Sequence, residues 1–324
     1  MKCFYHVDND GKCAGAIVAM KEYMLSKTHE YPDSSCFYKI NYGFPFPFDE
    51  IEPYERIYIV DYSLDPKDME KLLDITSNII WIDHHITSIN KYKNTGFKIP
   101  GIRMNGIAGC VLTYIYLFMM CDNTEYSLYH PKTVYNTNML RIIPKFIDYV
   151  GDYDVWTFKY GDETKFFKLG LEAIDKNEPY DDIWKQLFNH ETNAMENILK
   201  SGSTISQYKS KFAKEYCQSK GFKTTFEGYR AYCMNIGLAG SDWFDSVDSS
   251  EYDILLLFST GNGRTWSYSI YSETVDVSEI AKKYGGGGHK KASGFQSKKL
   301  LLKKPREKNE SIFAKMKKYI KGGL

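Results

Sequence analysis

The sequence predicts an α/β chain: an N-terminal doubly wound, mostly parallel sheet, a linking helix, and a smaller C-terminal α+β domain. Three observations carry this expectation. Short β-like runs alternate with helix-like runs through the first half, the pattern of βαβ units. Residues 191–219 carry apolar side chains at 194, 198, 205, 208, 212 and 216 in an otherwise polar stretch, which is helical spacing. Beyond it, strand-like runs dominate with little helix between them. The 324 residues hold two domains at about 100–200 residues each. The expected boundaries are 1–190, 191–220 and 221–324.

In chain order, 2–7 (KCFYHV) reads as a strand running into an acidic loop. Residues 12–26 read as a helix, with apolar side chains at 14, 17, 18, 20, 24 and 25. Strands are expected at 35–40 and 56–61, and Pro66 opens a helix to about 75, Pro being favoured in a first helical turn. Residues 78–82 (NIIWI) make another buried strand, followed at once by DHH. Helices are expected at 107–121 and 138–150. In the second domain, strands are expected at 222–226, 229–235, 252–260 and 264–272, and helices near 240–248 and 276–284. The tail at 309–321 has the pattern of a helix.

Net charge is +1, so the protein as a whole is not a polybasic nucleic-acid or membrane binder. The charge is uneven: residues 298–324 hold ten Lys/Arg against two Glu, leaving the first 297 residues with 32 basic and 39 acidic side chains. An acidic body suits cations, and the basic tail is either a solvated face or an anion contact. Seven cysteines without a CxxC pair argue against a disulfide framework and for a reducing, cytoplasmic setting. The first ten residues, MKCFYHVDND, meet an acid at position 8 and do not read as a signal peptide. The longest apolar stretch, 107–121, is short for a membrane span and reads as a buried helix. No membrane partner is expected, and nothing indicates an oligomer.

Acidic motifs sit at the ends of the predicted strands. HVDND follows the first, Asp61 ends the third, and Asp83-His84-His85 ends the fourth. Parallel α/β sheets gather ligands outside the carboxyl ends of their strands. The side chains of His6, Asp8 and Asp10 alternate, so in an extended segment they share a face. Asp152 and Asp154 follow a predicted helix. A single Asp after a strand is ordinarily a turn or helix cap, and a lone His is ordinarily structural. Four such motifs within one domain argue for metal. Carboxylates and imidazoles without thiolates suit Mn²⁺, Mg²⁺ or Fe²⁺ better than structural zinc. So many acids near one point repel unless cations sit between them, and two cations about 3.5–4 Å apart are the usual apparatus of phosphoryl hydrolysis.

These motifs resemble the DHH phosphoesterase superfamily: HVDNDG at 6–11, VDYS at 60–63, IDHH at 82–85 and GDYD at 151–154. Downstream, DVSEIAKKYGGGGHKKASGF at 276–295 resembles its DHHA1 subdomain. The resemblance implies a Mn²⁺-dependent hydrolase of phosphodiesters or small nucleotides, closest to the oligoribonuclease and cyclic-nucleotide phosphodiesterase branch. It implies that Asp61 bridges two metals, that His6 and Asp8 complete one site, and that Asp10, His84 and Asp152 complete the other. His85 then faces the substrate phosphate and Asp83 orients the histidine pair. One residue separates His6 from Asp8, where many relatives have three. Asp154 is a rival to Asp152, and Trp156 is expected in the core.

The run Gly285–Gly288 is either a linker or a place where backbone amides approach an anion without a Cβ in the way. The resemblance favours the second, with Gly286, Gly287, Gly288, His289 and Ser293 gripping substrate. Relatives often carry Ser-x-Arg-Ser in the preceding strand; here it is Ser269-Ile270-Tyr271-Ser272, with Tyr271 in place of Arg and Arg264 a candidate to compensate. The implied partners are short RNA or DNA oligonucleotides or small nucleotides, hydrolysed to nucleoside monophosphates. Cyclic mono- or dinucleotides and 3′-phosphoadenosine 5′-phosphate are alternative substrates. A nucleotide-binding sensor without turnover is the alternative of another class.

Overall fold

A computed structural model describes residues 1–120, 143–190, 193–261 and 263–302. Two compact units emerge, Met1–Ser206 and Gln207–Leu324.

In the first unit, β1 (Lys2–His6) leads into α1 (Asn9–Leu25), then β2 (Phe37–Ile40), β3 (Ile57–Val60), α2 (Pro66–Ile75), β4 (Ile79–Ile82) and α3 (Ile86–Lys91). Next come α4 (Gly109–Tyr114), which widens into a looser turn over Ile115–Met119, then α5 (Lys145–Asp154), α6 (Asp162–Glu172) and α7 (Asp182–Phe188). The sheet order is β2-β1-β3-β4 and every pairing is parallel. Side chains alternate across it as strand geometry requires. Cys3, Tyr5, Tyr58, Val60 and Ile82 face a core built with Ile17 and Val18 of α1 and Val111 of α4. Phe4, Ile57, Ile59, Ile79 and Trp81 face the opposite core, closed by Met69 and Leu72 of α2. Both faces are covered, which is the doubly wound arrangement the apolar strands predict.

The chain leaves β1 to form β2 on one side and returns to form β3 on the other. The order therefore reverses between β1 and β3, the place where such sheets leave a crevice at their carboxyl edge.

The long helix α8 (Ala194–Lys220) begins packed in the first unit, through Ala194 and Ile198, and ends in the second, through Ala213 and Cys217. The division between units falls inside it. The second unit holds β5 (Phe222–Phe226), β6 (Tyr229–Asn235), β7 (Ile254–Thr260), β8 (Trp266–Tyr271), α9 (Val277–Lys283), β9 (Gly287–His289) and β10 (Ala292–Ser297). Its sheet order is β5-β6-β7-β8-β10-β9, antiparallel except for β6–β7. Val277, Ile280 and Ala281 of α9 cover one face, and the end of α8 with Trp243 covers the other.

Several expectations shift. Helix α1 begins at Asn9 rather than 12, because the Asp8 side chain caps it by accepting the amide of Gly11 at 2.9 Å. Asp10 thus lies in a first helical turn, not on an extended strand exit. The helix expected over 240–248 is only a tight turn at Ser241–Phe244. Of the helix expected at 138–150, residues 138–142 lie outside the described residues, and α5 runs on past 150 to Asp154. The tail expected to be helical at 309–321 lies outside the described residues. Among the described residues, no helix is long and apolar enough to cross a membrane.

Candidate metal centre

The segments that follow β1, β3 and β4, with the end of α5, deliver one cluster at the carboxyl edge of the first sheet. Three overlapping groups have ligand atoms within 4.8 Å of one another: His6, Asp8 and Asp61; Asp61, His84 and His85; Asp10, His84 and Asp154. Asp61 and His84 each belong to two groups, so the cluster is continuous.

Asp61 is its centre. The residue follows β3 with its amide still bonded to the carbonyl of Ile82, at 2.9 Å, and it turns left-handed, with φ at 54°. A non-glycine residue held there is under strain that the surrounding structure must sustain. The turn aims a carboxylate that is 1% exposed at His84 Nε2 (3.2 Å from Oδ1) and His6 Nδ1 (3.6 Å from Oδ2). Neither oxygen of Asp61, nor Oδ2 of Asp154, receives a hydrogen bond. Buried carboxylate oxygens without donors are costly, and a divalent cation is the partner that such oxygens fit.

Asp10 is placed differently. Its oxygens accept the amides of Gly109 (2.6 Å) and Cys110 (2.8 Å) at the start of α4. Its Oδ2 also lies 3.6 Å from His84 Nε2, and Asp154 Oδ2 lies 3.5 Å from the same nitrogen. Gly109 is required by space: a Cβ there would lie 2.7 Å from the Cβ of Asp61 and 2.8 Å from its Oδ1. Gly11 is required likewise, since a Cβ would meet the carbonyl oxygen of His6 at 2.2 Å.

Asp83 is fully buried and holds the histidine pair. Its Oδ1 takes the amide of His84 at 2.7 Å and the ring Nδ1 of His85 at 2.7 Å, while Oδ2 takes the hydroxyl of Ser63. It therefore orients the ring of His85 and the backbone of His84.

The electrostatics report crowding. Burial, with the charges of Asp8, Asp83 and Asp154, pushes Asp61 up to about 8 against the pull of His6. Burial and Asp61 push Asp10 to about 7, and burial and Asp10 push Asp154 to about 7. Burial opposes charge on His6, yet the nearby carboxylates of Asp61 and Asp8 win and raise it to about 10. Burial opposes charge on His85 too, and Asp83 raises it to about 9. Without other cations, the cluster holds protons in their place.

Two expectations need correction. Asp152 does not offer the ligand. It is buried with both oxygens taken: the hydroxyls of Thr157 and Thr164 donate to it, as do the amides of Lys159 (2.9 Å) and Tyr160 (3.4 Å). Residues two apart on a helix point to different faces, so only one of Asp152 and Asp154 can turn to His84, and it is Asp154. Trp156 is not core; it is 68% exposed, with φ at 56°. The amides of Gly109 and Cys110 were invisible to motif reading, because no side chain marks them.

The residues expected to grip substrate lie in the second unit and are described within it. Gly286 and Gly288 have packing reasons: a Cβ would meet the carbonyl oxygen of Gly294 at 2.2 Å in the first and that of Ala292 at 2.7 Å in the second. Gly287 has open space around it and His289 is exposed on edge strand β9. The Ser293 hydroxyl donates to the carbonyl of His289 at 2.7 Å, which closes the β9–β10 hairpin. Tyr271 ends β8, opposite Ala292, with its ring 6.5 Å from that of Phe244. Arg264 lies in the connection before β8.

Residues 247–322 match the DHHA1 domain family. The chain is 24% identical over 265 residues to an uncharacterized protein of Acanthamoeba polyphaga mimivirus, covering 74% of this chain and 53% of that protein. It is 22% identical over 267 residues to oligoribonuclease NrnB of Bacillus subtilis, covering 74% of this chain and 59% of that one. The chain thus spans little more than half the length of these curated relatives. In fold it is similar to the DHH domain of a member of a family of ribosomal proteins, with a TM-score of 0.50 at 12% identity over 90% of this chain and 81% of the other.

Proposed function

We propose that the chain, whose residues 247–322 match the DHHA1 domain family, is a two-metal phosphodiesterase of the DHH/DHHA1 superfamily that hydrolyses short oligonucleotides to nucleoside monophosphates. The observation that carries this reading is Asp61: one buried carboxylate, both oxygens without donors, shared between two groups of nitrogen and oxygen ligands. His6 and Asp8 would hold one ion, Asp10, His84 and Asp154 the other, and Asp61 would contribute to both. Divalent ions there, Mn²⁺ by preference and Mg²⁺ or Fe²⁺ otherwise, supply positive charge for the phosphate oxygens and acidify the attacking water.

The chain's own groups have separate tasks. Asp83 holds His85 through Nδ1 and favours its protonated ring, which would donate a hydrogen bond to a non-bridging phosphate oxygen and offset charge that builds as water adds to phosphorus. The buried, strained Asp61 keeps its position through the reaction, since its backbone is anchored to β4. The name of the B. subtilis relative supports the oligonucleotide choice over cyclic nucleotides and 3′-phosphoadenosine 5′-phosphate.

The test is a product profile. Wild type and Asp61→Asn are incubated with Mn²⁺ and a trinucleotide, a cyclic dinucleotide or 3′-phosphoadenosine 5′-phosphate, and the products are separated. Monophosphates released from the trinucleotide by wild type alone support the proposal. Equal rates in the two proteins defeat it, and tight nucleotide binding with no product would favour a sensor.

A further inference from the structure

The loop that follows β2 has no part in the cluster, yet it stands beside it. Its sequence, Asn41-Tyr42-Gly43-Phe44-Pro45-Phe46-Pro47, places three aromatic residues among two prolines. A turn closes where the amide of Phe44 meets the carbonyl of Asn41 at 3.3 Å, with Gly43 left-handed at φ 88° as its third residue. Phe46 anchors the loop from below, its ring 4.4 Å from that of buried Phe4. The prolines restrict the backbone on either side of that anchor.

The other two aromatics are placed differently. The ring of Tyr42 lies 4.7 Å from that of Tyr62, next in sequence to Asp61, and 5.8 Å and 5.9 Å from those of His85 and His6. Phe44 is 73% exposed and Tyr42 43%. Beside them is a cavity of about 490 Å³, whose walls include Phe44, Tyr62, Asn41, Lys39 and Val7, the last standing between His6 and Asp8. Most of its lining is apolar or aromatic. The polar side chains at its edge are few, and Lys39 is bound to Glu178 at 2.5 Å.

An exposed aromatic surface costs solubility unless something covers it. Here the occupant must reach a site where a phosphate is handled, must present a flat apolar face, and finds few polar groups to read it. We propose that this loop and cavity form a nucleobase subsite, in which the base next to the reacting phosphate stacks on Phe44, with Tyr42 and Tyr62 as the wall toward His85. The inference rests on the phosphodiesterase reading for its choice of occupant. It narrows the substrate class to base-bearing phosphodiesters rather than inorganic polyphosphate. With few polar groups at its edge, the subsite accepts purine and pyrimidine alike, because every base has a stacking face. The prolines and the Phe46 anchor hold the platform ready, which lowers the ordering cost of binding.

The test uses the full chain and a dinucleotide with a non-hydrolysable phosphonate linkage carrying 2-aminopurine, against the same molecule with that base deleted. Affinity is measured for wild type, Phe44→Ala and Phe44→Tyr. Stacking is worth about 1–3 kcal/mol per base, so Phe44→Ala weakens the base-bearing ligand roughly tenfold and leaves the abasic one unchanged. Phe44→Tyr restores binding, and 2-aminopurine fluorescence is quenched by wild type. Unchanged affinity of Phe44→Ala for the base-bearing ligand, or an equal loss for both ligands, overturns the subsite. Turnover of the unmodified dinucleotide is scored separately: base-dependent binding without turnover retains the subsite and removes the enzyme.

Discussion

Asp83 Oδ1 lies 2.7 Å from His85 Nδ1 and 2.7 Å from the amide of His84, so one buried carboxylate governs two neighbouring histidines. In the metal-free protein this bond raises His85 to about 9. A histidine raised on folding stabilises the fold fully below its unfolded value, and that contribution is lost as pH rises through about 9. NMR titration with a chelator present will show the His85 ring deprotonating well above the ordinary histidine range. In Asp83→Asn it will return toward that range, and turnover will fall even where metal still binds.

The three central acids are raised too, but toward their neutral form. Asp10, Asp61 and Asp154 titrate near 7, 8 and 7, above their unfolded values, so they hold more protons folded than unfolded. The metal-free protein therefore loses stability as pH rises from about 5 to about 8. Mn²⁺ displaces those protons and reverses the trend. Thermal melts with chelator and with Mn²⁺ across this range will diverge as pH rises, and calorimetry in two buffers of different ionisation enthalpy will register proton release on binding.

Asp152 and Asp154 are two residues apart and have different work. Asp154→Ala removes an oxygen aimed at His84 and will weaken metal binding, with little change in the melting temperature of metal-free protein. Asp152→Ala strands the hydroxyls of Thr157 and Thr164 and the amides of Lys159 and Tyr160, and will cost about 3 kcal/mol of stability. Denaturant unfolding beside metal titration of each variant separates the two roles.

Gly109→Ala tests the cradle without touching a ligand. The added methyl lies within 2.8 Å of Asp61 Oδ1, so the carboxylate or the start of α4 must move. Both Asp61 and Asp10 are held there, and we expect metal affinity and Mn²⁺-dependent hydrolysis to fall at least tenfold. Unaltered metal stoichiometry and rate would show that the contact relaxes freely.

The alternation of strands and helices, and with it the edge where ligands gather, is legible in the residues alone. Continuous apolar runs at 57–60 and 79–82 must be covered on both faces, and an acid or histidine directly after such a strand stands at its carboxyl end. That is why His6, Asp8, Asp61, Asp83, His84 and His85 could be read as site residues. The choice between Asp152 and Asp154 came from packing, because neighbours set a helix's rotation about its axis, and residue type says nothing of that rotation. Packing also seats Asp10 on the amides of a helix some 100 residues away in sequence, a contact made by backbone atoms that nearly any residue carries. Only the distances from Tyr42 to His6 and His85 place the aromatic loop 41–47 beside the cluster, since proximity across strands is a property of the folded sheet alone.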